Sequence, residues 1–154
     1  MTKYAEKTSV SVAKTKTDIE SMVTKYGADQ YICASTCNKS MICFRLKGKQ
    51  IKFFIELPDK NSNEFLYTPE RKNRRNEEAA LAAWEQACRQ KWRALYLVIK
   101  AKLEAVESGI TCMECEFMAN IVLPDGKTVG QHIIGQIEDA YNSGQMPSLL
   151  LDVE

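Results

Sequence analysis

Apolar and polar positions alternate cleanly over Met41–Lys47, with Ile42, Phe44 and Leu46 facing one way and Met41, Cys43 and Arg45 the other. The same period of two continues through Ile51, Phe53, Ile55 and Leu57, and Tyr31–Cys37 before it is rich in strand-forming residues. Asn38-Lys39 and Gly48 are turn signals between these runs, and connections this short predict an antiparallel meander with one buried face. Pro58 ends it, since proline cannot donate to a ladder. On this alternation Tyr31, Cys33, Cys43, Arg45, Lys52 and Phe54 share the second face of the sheet.

The period then changes to that of a helix. Ala80, Trp84, Ala87, Cys88, Leu95, Ile99, Leu103 and Val106 form an apolar stripe, opened by the acidic pair Glu77-Glu78 and stopped by Ser108-Gly109. Trp84 and Trp92 differ by roughly 80° around that helix, so one of them is expected at a domain edge or subunit contact. Ahead of the sheet, Thr17-Asp18-Ile19-Glu20 has the form of a capping box before Met22, Val23 and Tyr26, and Gly27 closes the short helix. Residues 8–14 alternate weakly and fit an edge strand or an extended arm.

Beyond the long helix, Thr111–Glu114 repeats the capping-box form, and Thr128 can cap a last helix carrying Val129, Ile133, Ile134, Ile137, Ala140 and Tyr141. Met146–Val153 is an apolar tail, either docked on the body or a partner contact through Leu149-Leu150-Leu151. These elements predict one α+β domain over 1–154, a three- to four-stranded antiparallel meander packed on one long helix, with two shorter C-terminal helices completing the core. Its parts are an N-terminal helix and sheet over 8–58, a loop over 59–78, the long helix over 79–107, and two shorter helices with the tail over 110–154.

Composition adds few restrictions. The 154 residues carry 45% hydrophobic and 27% charged side chains with net charge +1, so a polyanionic partner has to be argued from clustering of charge. The polar start Met1–Lys7 lacks the apolar run of a signal peptide, and no window spans a bilayer, so a cytoplasmic location and no membrane partner are expected. Six cysteines are then expected as thiols rather than disulfides.

Clustering of charge is densest in the long polar loop. Arg71, Lys72, Arg74 and Arg75 fall within five residues, a composition suited to phosphate contacts and equally to a solvated loop neutralised by Glu70, Glu77 and Glu78. Arg89 and Arg93 on the long helix, with Lys100 beyond them, could extend a cationic track, or pair locally as Glu85 with Arg89. Arg45, Lys52 and Phe54 form a second candidate surface, because a basic and aromatic sheet face is one way to hold single-stranded nucleic acid. A covering element or a second subunit is the alternative use of that face.

Catalytic chemistry finds little support. Cys112-x-x-Cys115 lacks the strand that precedes a thioredoxin motif, and Cys33 and Cys37 would lie about 13 Å apart in an extended strand, too far to share an ion with it. The single His132 falls within a helical pattern, and Gly126-Lys127-Thr128 lacks the first glycine of a phosphate-binding loop, position 121 being Ile. No catalytic residue, metal or cofactor is assigned.

The run Ala83–Leu95, AWEQACRQKWRAL, with Leu97–Ala105, LVIKAKLEA, and the later Ile121–Gly130, IVLPDGKTVG, resembles a small uncharacterised protein family of bacteriophages and prophages. The likeness spans about two thirds of the chain. It implies a phage or prophage origin and a role in the host cytoplasm, and it carries no activity and no site residues. In element order alone, helix, three strands and long helix are similar to the double-stranded RNA-binding domain and to the core of phage single-strand annealing proteins, a likeness of topology that transfers no function. The expectation is a non-catalytic DNA- or RNA-binding protein of phage replication, recombination or counter-defence. The alternative is a protein-interaction module, such as an inhibitor of a host defence enzyme or an oligomer that sequesters a ligand.

Overall fold

A computed structural model describes residues 4–146, so the tail Leu149-Leu150-Leu151 lies outside the described residues. The element order is α1 (Val12–Lys25), β1 (Gln30–Ser35), β2 (Lys39–Leu46), β3 (Lys49–Glu56), α2 (Asn63–Leu66), α3 (Glu77–Glu107), α4 (Met113–Phe117), a 3-10 turn (Met118–Asn120) and α5 (Val129–Ser143). The three strands form an antiparallel meander in the order β1-β2-β3, and the fold is α+β.

The β2–β3 turn is fixed by two residues, Lys47 and Gly48, both at positive φ (49° and 77°), the conformation that matches strand twist in a two-residue hairpin. It sets Phe44 opposite Ile51 and Ile42 opposite Phe53, so both strands turn the same apolar face to the helices. Tyr31 pairs with Phe44 and Cys33 with Ile42, which places Tyr31 and Cys33 on this core face as well. That corrects their expected position on the open face, where Ile32 stands instead, directly opposite Cys43. The four-residue connection 36–39 pairs Ser35 with Ser40, two residues off the register that a turn at Asn38-Lys39 alone would give; both connections are even in length, so either sets odd-numbered Tyr31 and Cys33 opposite even-numbered core residues of β2.

Helices α1 and α3 cover the core face. Ile19, Met22 and Val23 from α1 and Trp92, Ile99 and Leu103 from α3 meet Ile42, Phe44, Leu46, Ile51, Phe53 and Ile55. Phe117 of α4 closes the cluster, standing edge-on to both Phe44 and Phe53, with Met113 beside it. α1 begins earlier than the capping-box pattern suggests. Ser11 is the N-cap, accepting from Lys14 N at 3.1 Å, so residues 12–14 are helical and Thr17 lies inside, its hydroxyl donating back to Ala13 O.

α3 starts at Asn76, whose side chain accepts from Ala79 N at 2.8 Å, and its first turn holds Glu77 and Glu78 at the positive end of the dipole. Of the two tryptophans, Trp92 is 1% exposed in the core, while Trp84 sits at the margin and donates from its indole to Pro58 O at 2.7 Å. The C-terminal segment then returns to the sheet: Ile121 bridges Ile51, and Val122 N donates to Gln50 O at 2.8 Å. This short contact occupies the outer edge of β3, the place of a fourth strand.

α5 departs from the expectation that both C-terminal helices complete the core. It is capped by a capping box of Thr128 and Gln131, yet none of its residues is buried. It leans on the 3-10 turn, where Gly130 lies so close that a Cβ there would stand 2.9 Å from Ala119 O.

Candidate nucleic-acid interface

The polar connection 59–78 is an ordered structure built on one apolar anchor. Ser62 caps α2 and Phe65 is buried beneath it. After α2 the chain folds into a small hairpin, in which Tyr67 bridges Arg74 and Thr68 N donates to Asn73 O at 2.9 Å. Lys72 N donates to Thr68 O and Asn73 N to the Thr68 hydroxyl, and the tight reversal holds Lys72 at φ 48°.

This scaffold divides the four cations of the cluster. Arg75 is turned inward, its guanidinium donating to Glu64 O at 3.1 Å and Phe65 O at 3.0 Å, carbonyls at the end of α2 that lack helical partners. Its backbone N also donates to Leu66 O. Arg71, Lys72 and Arg74 are exposed, and among the described residues none of them lies within ion-pair distance of Glu70, Glu77, Glu78 or any other carboxylate. Beside them runs an open groove of about 590 Å³ lined by Asn63, Glu64, Tyr67, Thr68, Pro69 and Lys72, with Tyr67 38% exposed as a residue.

The other expected cations are engaged within the fold. Arg93 donates to Asp18 at 2.9 Å and lies over the Tyr96 ring at 4.2 Å, tying α3 to α1. Lys14 and Arg93 together hold the Asp18 carboxyl below its usual range, Lys14 having the larger effect. Arg89 donates to Gln86 Oε1 and stands 4.0 Å from Glu85, while Gln86 in turn binds the carbonyls of Glu6 and Thr8. On the sheet, Arg45 forms a two-pronged pair with Asp29 at 2.8 and 2.7 Å, which lowers the Asp29 pKa. Lys52 donates to Gly126 O at 2.9 Å and lies over the Phe54 ring. Phe54 remains 52% exposed, next to a face whose cations are already matched. The structure thus leaves Arg71, Lys72 and Arg74 together as a cationic edge and does not join Arg89, Arg93, Arg45 or Lys52 to it.

The thiols and the histidine fall elsewhere. Cys112 caps α4, its sulfur accepting from Cys115 N at 3.2 Å, and the Cys115 thiol pulls the Cys112 pKa down while its own is pushed up by Cys112. Cys43 and Cys88 are buried and their thiols are raised by desolvation. His132 contacts Asp125 at 2.7 Å at the hairpin before α5. Among the described residues no three metal-ligating side chains come together, and no helix is long and apolar enough to cross a membrane.

Comparison with protein-family models, with curated proteins and with solved structures gives no match for this chain.

Proposed function

We propose that the protein is a non-catalytic nucleic-acid-binding protein of phage or prophage origin, serving replication, recombination or counter-defence in the host cytoplasm. The observation that carries this reading is the hairpin after α2, which presents Arg71, Lys72 and Arg74 on an ordered edge with no carboxylate partner among the described residues. Unpaired cations on a pre-formed loop meet phosphates without first breaking internal ion pairs. Tyr67, exposed beside the groove, offers a ring on which an unstacked base can rest, which favours a single strand over a duplex.

Fluorescence anisotropy with labelled single- and double-stranded oligonucleotides over a salt series tests this. Three phosphate contacts give a log–log salt slope of about −2 to −3. Reversing all three charges (Arg71→Glu, Lys72→Glu, Arg74→Glu) abolishes binding, whereas Arg89→Ala and Arg93→Ala leave the slope unchanged. Equal binding by the triple variant refutes the proposal, as does absence of binding at low salt.

A second reading, a module that binds a host protein such as a defence enzyme, is favoured by one separate observation. Among the described residues nothing covers an apolar face of α5, on which Ile134, Ile137 and Tyr141 are exposed.

A further inference from the structure

α5 carries two apolar stripes. Val129, Ile133 and Ala140 lie half-buried toward the body, while Ile134, Ile137 and Tyr141 are 61%, 45% and 87% exposed on an adjoining strip. The spacing of three and four residues is that of a narrow helix–helix seam. Met146 (83% exposed) extends the strip past the C-terminus of α5, and with Ile137, Ala140 and Tyr141 it lines an open groove of about 440 Å³. Met118, half-exposed, stands on the 3-10 turn that rests against the first turn of α5.

We infer that this strip is the interface of a homodimer in which α5 packs antiparallel on α5 of a second copy. The inference is independent of nucleic-acid binding. The five exposed residues, backbone and the Tyr141 hydroxyl included, present roughly 700 Å² of surface, a little under the ~800 Å² each partner contributes to a standard interface. A 15-residue helix is about 22 Å long, enough for the seam to run its length once.

The sequence of α5 makes the strip self-complementary in one direction. A two-fold axis between Gly135 and Gln136 sets Ile134 against Ile137 of the second copy, twice. It also brings Tyr141 level with Gly130, whose face is filled by Ala119 of the 3-10 turn, so the ring meets the neighbouring exposed Met118. Glu138, at the rim of the strip, then lies level with Ile133 of the second copy, and the two helix dipoles oppose each other. A parallel pairing would set Glu138 against Glu138 and align the dipoles. α5 holds no lysine or arginine, so a strongly acidic partner surface finds no counter-charge along it.

Sedimentation or light scattering from low micromolar to several hundred micromolar concentration tests the inference. The wild type shows a mass rising to twice that of one chain. Ile137→Lys and Ile134→Glu, substitutions at exposed positions, each raise the dimer dissociation constant at least tenfold, by about 1.4 kcal/mol or more. Their far-UV dichroism and melting temperatures at low concentration stay at the wild-type values. A 1:1 mixture of the two variants restores the dimer, because the ammonium introduced at position 137 of one chain then meets the carboxylate introduced at position 134 of the other. A wild type that stays monomeric throughout overturns the inference and leaves the strip to a different protein. So does a dimer that survives both substitutions, and failure of the mixture overturns the antiparallel register.

Discussion

Arg74 and Arg75 are neighbours with the same chemistry, and the structure turns Arg75 inward while leaving Arg74 exposed. Replacing Arg75 by Ala removes two charge-assisted hydrogen bonds to Glu64 O and Phe65 O. A hydrogen bond to a charged group contributes about 1.5–3 kcal/mol when well sheltered. Here water reaches the carbonyls once the guanidinium is gone, because Glu64 is exposed and Arg75 only half-buried. Most of that contribution is therefore recovered by solvent, and the net loss is about 1–2 kcal/mol. For a chain of this size that corresponds to a fall of about 2–8 °C in melting temperature. Arg74→Ala removes a side chain that touches no acid among the described residues and leaves stability within about 0.5 kcal/mol.

Binding should show the inverse order. Arg74→Ala shortens the salt slope by about one phosphate contact, and Arg75→Ala weakens affinity only through loosening of the hairpin, with the slope retained. Thermal melts by circular dichroism and anisotropy titrations on the same two proteins supply both halves. Equal destabilisation by the two variants, or a neutral Arg75→Ala, would show that the inward guanidinium does not hold α2 and the hairpin together.

Other consequences are as direct. The Asp18 carboxyl is held below its usual pKa by Lys14 and Arg93, so its contribution to stability is present above the unfolded value near pH 4 and is lost as pH falls through the lower folded one; melts from pH 6 to pH 3 should flatten in Asp18→Asn. Trp92→Ala should cost about 3–5 kcal/mol as a core truncation, whereas Trp84→Phe forfeits the bond to Pro58 O and costs about 1 kcal/mol; urea titrations followed by dichroism would separate them. Among the thiols, Cys112 should alkylate faster than Cys115, with Cys43 and Cys88 protected until unfolding; mass spectrometry of iodoacetamide-treated protein reads the order, and labelling of Cys88 at the Cys112 rate would contradict it.

What the sequence reveals and what it hides follow from the range of the interactions. α3 is legible because its stripe, acidic first turn and glycine stop are all local, and the β2–β3 hairpin because Lys47-Gly48 leaves only one register. The face of Tyr31 and Cys33 is set by pairing across the turn rather than by alternation within the strand: any connection of even length to β2 sets them opposite core residues such as Phe44 and Ile42. The start of α1 is hidden by a competing capping pattern at Thr17 that Ser11 pre-empts. For the basic residues, composition shows density of charge and not partnership. Arg93 finds Asp18 across 75 positions and Arg45 finds Asp29 across 16, so the expected track is consumed by contacts no window displays. The periodicity of α5 announces an apolar side truthfully, and says nothing of whether the chain itself covers it.

The contact of Ile121 and Val122 with β3 bears on the order of events during synthesis. The strands Lys39–Leu46 and Lys49–Glu56 can zip together as soon as both have emerged, because their turn is two residues long and closing it costs little entropy. The segment that covers their outer rim lies about 70 residues later in the chain. Through the synthesis of α3 the ribbon Lys-Gln-Ile-Lys-Phe-Phe-Ile-Glu therefore shows bare amide and carbonyl groups on one side, and Lys49, Lys52 and Glu56 are the charges available to discourage a neighbouring chain from adding a strand there.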